Sequence, residues 1–279
     1  MWFTYAILAS LFFVGSETIQ RYLLKGNKDF WAYSFWFSAF GALINLPFML
    51  SDFEAPSEIS FWLLVAWLGP LITLHNFLNF SSVKYLSPSF KSAISKFRLI
   101  WTFIFGVMFL SEIVTLGKIT GAGLTVMAGL LVIGTIRGTE NSKGILPIFS
   151  STILYAIGTT IVSTLLKDSN PATITFFVFF LPATMNFILM PNAFSRTLKI
   201  IKQYRYLLIL STVTAAFGNL LMNYALKSGA QSDVVIIMEG SLVLLLAAEF
   251  FILKEKGSIR LKIAAIILAI LGALLVRLG

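Results

Sequence analysis

The chain has 279 residues, of which 58% are hydrophobic and only 12% charged, about half the roughly 25% charge of a soluble domain. So apolar a composition excludes a water-soluble globule and makes lipid the solvent for most of the surface. The net charge is +9, but the basic residues cluster between apolar blocks and form no stripe of the kind nucleic acid needs.

Apolar blocks of about 20 residues, the length that crosses a bilayer core of roughly 30 Å, lie at 2–24, 30–50, 60–83, 87–110 and 115–136. Five more follow at 145–167, 172–191, 205–226, 231–253 and 258–278. No basic stretch precedes Trp2, so the first block reads as an uncleaved span rather than a signal peptide. A barrel would show alternating runs of about ten residues. The pattern therefore predicts an all-α integral membrane protein with ten transmembrane helices. Short connections such as 25–29, 51–58 and 137–144 leave no room for a soluble domain.

The chain can be laid over itself. Shifted by 143 residues without a gap, residues 4–136 align with 147–279, placing Gly15 on Gly158, Asn76 on Asn219, Lys84 on Lys227, Glu112 on Glu255 and Gly129 on Gly272. A doubled hydrophobic unit is a recurring signature of transporter folds. Two five-helix units are expected, at 1–138 and 145–279.

Charge sets the expected orientation. Arg21, Lys25, Lys28, Lys84, Arg137, Lys143, Arg196, Lys199, Lys202, Arg205, Lys254, Lys256, Arg260 and Lys262 fall on one side of the ten-helix scheme. That side is expected to face the cytoplasm, with both termini outside. The acidic connection 51–60 and the basic connection 192–204 are equivalent under the shift yet opposite in charge. Five helices per unit, an odd number, demand the same reversal, so the two units are expected to be inverted relative to each other.

Tandem five-helix units, each with a glutamate closing its fourth helix, resemble the EamA type of the drug/metabolite transporter superfamily. The matching residues are Leu110-Ser111-Glu112 and Leu253-Lys254-Glu255, each followed by a last helix bearing Gly121, Ala122 and Gly129 or Ala265 and Gly272. The resemblance implies a secondary carrier whose central cavity is lined by helices 1, 3, 4, 6, 8 and 9.

Ionisable groups inside a membrane cost at least about 2.5–3.5 kcal/mol, so each calls for a reason. Lys96 lies near the middle of the fourth block, and its counterpart under the shift is Glu239 in the ninth. Such a pair either binds the two ends of a zwitterion or locks the halves together as a structural ion pair. Arg98 falls on nearly the opposite side of the helix from Lys96, where Glu17 is a plausible packing partner. Glu17, among Ser16, Thr18 and Gln20, either carries a coupling proton or pairs with a neighbouring cation. His75, Asn76 and Asn79 form a polar face on the third helix, and Asn219 and Asn223 form its equivalent on the eighth. Amides both donate and accept, which suits a polar solute, but they also serve as interhelical glue. His75 either titrates near neutral pH or is a hydrogen-bonded packing residue.

With no cysteine and a single histidine, a metal site is not expected, nor is a cofactor. No nucleotide-binding motif is present. The expected function is transport of a small polar metabolite, an amino acid or related zwitterion, by alternating access across the cytoplasmic membrane. A carrier for a phosphorylated or other organic anion is the alternative, suggested by Lys91, Lys96 and Arg98 on one helix. An integral-membrane enzyme is disfavoured. The expected partners are the solute, the bilayer and a coupling proton or counter-substrate.

Overall fold

A computed structural model of the chain describes residues 1–24, 29–51, 53, 55–86, 88–135, 142–240 and 259–278. Among these residues there are helices and no strand, as a bilayer requires when no water is present to satisfy exposed backbone groups. The first half comprises α1 (Trp2–Leu24), α2 (Phe30–Ser51), α3 (Ile59–Ser82), α4 (Pro88–Ser95), α5 (Arg98–Leu110) and α6 (Leu116–Thr135). In the second half, a short 3₁₀ turn at Ser142–Gly144 leads into α7 (Ile145–Leu165), α8 (Pro171–Leu189), α9 (Ala193–Ser228), α10 (Gln231–Glu239) and α11 (Ile259–Leu278). Seven of the described helical stretches are long and apolar enough to cross a membrane, with 90–110 counted as one. Their outer faces carry exposed Leu63, Trp67, Leu146 and Ile188, as lipid contact demands.

Three expectations need revision. The fourth block is not one continuous helix, since residues 96 and 97 form a turn between α4 and α5. The basic connection 192–204 is not a loop, since α9 starts at Ala193 and bends at Tyr204 (φ −132°, ψ 19°). The ninth block is seen only as α10, because 241–258 lie outside the described residues. Lys25, Lys28, Asp52, Glu54, Arg137, Lys254, Glu255 and Lys256 lie outside them as well.

Packing obeys the 143-residue offset. α1 packs on α9 and α3 on α7, two contacts that the offset interchanges. α2 packs on α8 and α6 on α11, and each of these contacts maps onto itself. α6 and α11 cross at Gly121 and Gly272, where a Cβ on Gly272 would lie 2.7 Å from the Gly121 carbonyl oxygen. Glycines at these two positions let the backbones touch.

Two large apolar clusters result. One gathers Ala6, Ala9, Phe61, Val65, Leu68, Val162, Leu166, Ile174 and Leu226. The other gathers Leu23, Leu24, Tyr33, Phe37, Phe80, Val83, Met190 and Leu208. The first takes the early turns of α1 and the second its last turn. The offset carries Leu23 onto Leu166, Val65 onto Leu208 and Val83 onto Leu226, so each cluster is the repeat counterpart of the other.

Candidate functional site: a polar cavity at mid-helix

Between the two clusters lies a cavity of about 170 Å³. The middle of α1 contributes Phe13, Ser16, Glu17 and Gln20, and α3 contributes His75, Asn76 and Asn79. Ser95 and Arg98 come from either side of the α4–α5 turn. α7 adds Ser151, Thr152, Tyr155 and Thr159, and α9 adds Asn219, Met222 and Asn223. Phe37 of α2 and Phe179 of α8 close the apolar side. A recess of about 70 Å³ adjoins it, sharing Glu17, Ser95, Arg98 and Tyr155 and adding Ser10, Ser92 and Met238. The lining thus matches the expected helices, except that α2 and α8 contribute aromatic walls and α10 reaches only the recess.

Six of the eight expected residues face the cavity: Glu17, His75, Asn76, Asn79, Asn219 and Asn223. Their availability differs. His75 Nδ1 lies 3.0 Å from the Ser151 carbonyl, which can only accept, so Nδ1 carries the proton. The Asn223 amide donates to Thr175 Oγ1 at 2.8 Å, and the Asn219 amide donates one turn back to the Ala215 carbonyl at 2.9 Å. Glu17, Asn76 and Asn79 make no side-chain hydrogen bond among the described residues. The Gln20 side-chain carbonyl in the same lining is likewise without a hydrogen-bond partner among the described residues.

Lys96 and Glu239 do not line the cavity. They lie behind its wall, each 1% exposed, with Lys96 Nζ 2.5 Å from Glu239 Oε2. The ammonium also donates to the Glu239 backbone carbonyl at 2.6 Å, so it caps the C-terminus of α10. A cation is favoured there by the helix dipole. At the other end of α10, Glu112 accepts from the Ser232 hydroxyl at 2.5 Å and from its backbone amide at 3.3 Å. This nine-residue helix therefore has an anion at its N-terminus and a cation at its C-terminus.

Arg98 departs from its expected place opposite Lys96, with Glu17 as partner. Its guanidinium meets the second oxygen of Glu239, while its side chain remains 24% exposed and reaches the cavity. The reason is the turn at 96–97. Lys96 N bonds to Ala93 O, and Phe97 N to Ile94 O, and the i→i+3 pattern continues in Leu99 to Lys96 and Ile100 to Phe97. Two residues on such a tightened helix subtend about 240° instead of about 200°, so the two cations come closer on the short side. The guanidinium also lies over the Tyr155 ring, 4.5 Å from its centroid. Glu17 lies in the electrostatic range of Lys91, Lys96 and Arg98, but within hydrogen-bond reach of none.

The expected residue set includes none from α7, although the helix itself is among those expected to line the cavity. Ser151, Thr152, Tyr155, Gly158, Thr159 and Val162 recur at helical spacing, a polar stripe as regular as that of α3. It holds no charged residue or amide, which is why it did not stand out.

Comparisons with known proteins converge on this architecture. The EamA-like transporter family matches the chain twice, over residues 1–135 and 142–278. A WAT1-related protein of Arabidopsis thaliana is 31% identical over 101 residues, a stretch covering 35% of this chain and 30% of that relative. A protein of known crystal structure superimposes over 99% of this chain and 96% of its own, with a TM-score of 0.73 at 14% identity, which shows the fold alone. With nearly its whole length matched, and with seven described helical stretches of membrane-spanning length, the chain belongs to the EamA-like transporter family of the drug/metabolite transporter superfamily and is a multi-pass membrane protein.

Proposed function

We propose that the protein carries a small zwitterion, such as an amino acid, across the cytoplasmic membrane by alternating access. The observation that carries this reading is the pairing of Glu17 and Arg98, opposite charges facing one cavity beside the open amides of Asn76 and Asn79. Glu17 would receive an ammonium group and Arg98 a carboxylate, with the two amides orienting the solute. Phe13, Phe37 and Phe179 would take a short apolar side chain. At about 170 Å³, the cavity is small beside the roughly 300–1,000 Å³ pockets of drug-sized ligands, which favours a compact solute.

Ten spans in two inverted units, 1–138 and 145–279, fit the contact pattern and the two family matches. The repeat-related clusters would then be gates, one opening as the other closes. Lys96 and Glu239 serve this reading as the lock between the units rather than as solute ligands. The basic connections face the cytoplasm and both termini lie outside. A C-terminal reporter active only in the cytoplasm therefore stays silent, and a bright signal would refute this orientation. A proton on Glu17, or a counter-substrate, is the coupling partner, and no catalysis is assigned.

A second reading rests on charge: Lys91, Lys96 and Arg98 outnumber Glu17 and Glu239, the acids they interact with, and of the three cations Arg98 reaches the cavity, which favours a phosphorylated or other organic anion. Uptake into proteoliposomes, with a panel of labelled amino acids and organic anions, separates the two. Saturable uptake of amino acids supports the first reading, and uptake of anions alone supports the second. Turnover of a solute by solubilised protein without vesicles would overturn both.

A further inference from the structure

The first part of α9 is too much helix for the membrane. At 1.5 Å per residue the 36-residue helix is about 54 Å long, against a hydrocarbon core of roughly 30 Å. The bend at Tyr204 divides it. Residues 205–228, roughly 36 Å of helix, are long enough to span, which leaves 193–203 outside the hydrocarbon.

That outer segment has three faces. Thr197 and Ile200 are buried, and the segment is latched by Trp36, whose indole donates to the Thr197 carbonyl at 2.9 Å. Arg196 adds a two-pronged ion pair with Asp29, at 2.7 Å from Nε and 2.6 Å from Nη2. Next to the buried face, Phe194 and Leu198 are one turn apart and 71% and 37% exposed. Beyond them, Lys199 and Lys202 point outward, followed after the bend by exposed Arg205. Arg205 donates to the neighbouring Tyr206 hydroxyl at 2.8 Å, and none of the three cations has an ion pair among the described residues. An apolar strip bordered by such cations is the pattern of a helix lying in the headgroup layer.

We propose that residues 193–206 form a binding surface for anionic phospholipid headgroups. Phe194 and Leu198 enter the acyl boundary while Lys199, Lys202 and Arg205 contact phosphates. The occupant follows from continuity, since the spanning part of α9 already places this segment at the bilayer edge, and from its positive charge.

Native mass spectrometry of the full chain, in detergent with equimolar phosphatidylglycerol and phosphatidylcholine, tests the proposal. The wild type is expected to retain phosphatidylglycerol preferentially. The triple variant Lys199→Gln, Lys202→Gln, Arg205→Gln should lose most of that preference, while Lys167→Gln, in the exposed turn after α7, keeps it. Equal retention of both lipids by the wild type, or an unchanged preference in the triple variant, would overturn the proposal. Because the chain has no cysteine, nitroxide labels at Leu198→Cys and Gln203→Cys report depth separately. The first should be shielded from aqueous relaxant in phosphatidylglycerol vesicles and the second exposed. Equal exposure of both would contradict the apolar contact whatever the charge variants do.

Discussion

Lys96 and Glu239 occupy equivalent positions of the two halves, and their side chains meet at 2.5 Å behind the cavity wall. With Arg98 on the second carboxylate oxygen, one acid serves two cations. The arrangement is asymmetric in what each residue leaves behind when removed.

Glu239→Gln leaves two cations without their acid, and Lys96, 1% exposed, is cut off from water. Breaking a buried pair in this way costs about 3–5 kcal/mol. Lys96→Met leaves Glu239 with Arg98 and with less desolvated charge, so its cost is expected to be smaller. Thermal unfolding in detergent checks the order. Equal losses, or a greater loss in Lys96→Met, would show that Arg98 does not share the acid.

The crossing of α6 and α11 yields a second expectation. A side chain at position 272 must displace backbone, because its Cβ would approach the Gly121 carbonyl at 2.7 Å and Thr125 Oγ1 at 2.7 Å. Gly272→Leu should destabilise by about 1–3 kcal/mol through overpacking, read as a lower melting temperature. Gly123→Leu, at a position with open space around the Cβ, should change little.

How much of this was legible beforehand depends on the length scale of each signal. The blocks at 2–24, 30–50 and 60–83 are set by hydrophobic run length, and α1, α2 and α3 follow them closely. The offset placed Lys96 over Glu239, and the two do meet. What run length cannot register is a change of helical pitch over two residues. The turn at 96–97 contains no proline or glycine to announce it, so uniform α-helical spacing puts Arg98 on the wrong side. The helical start of α9 was hidden for the converse reason. Its charges read as a loop, although Thr197 and Ile200 already carried a buried face.

The latch between Asp29 and Arg196 lies outside the spans and has a definite pH signature. Burial disfavours the Asp29 carboxylate, but hydrogen bonds from Arg196 and from the amides of Ala32 and Trp31, with the Arg196 charge, outweigh it and hold the carboxyl below its ordinary value of 3.8. A depressed folded value stabilises above the unfolded value and is lost as pH falls through the folded one. The melting difference between wild type and Asp29→Asn should be constant from about pH 5 to 8, begin to fall near about pH 4 and vanish only once the pH is below the lowered folded value. A difference that faded between about pH 6 and 8 would point to another group.

The central claim is that Glu17 and Arg98 address the two ends of a zwitterion. Counterflow of a labelled amino acid in proteoliposomes tests it directly, with competition by an analogue lacking the carboxylate and one lacking the amine. A charge-assisted hydrogen bond contributes about 1.5–3 kcal/mol, so in the wild type the intact zwitterion should compete roughly 10- to 100-fold better than either analogue. Arg98→Gln should abolish the advantage over the amine, and Glu17→Gln the advantage over the acid. Undiminished preference for the zwitterion in both variants would contradict the account.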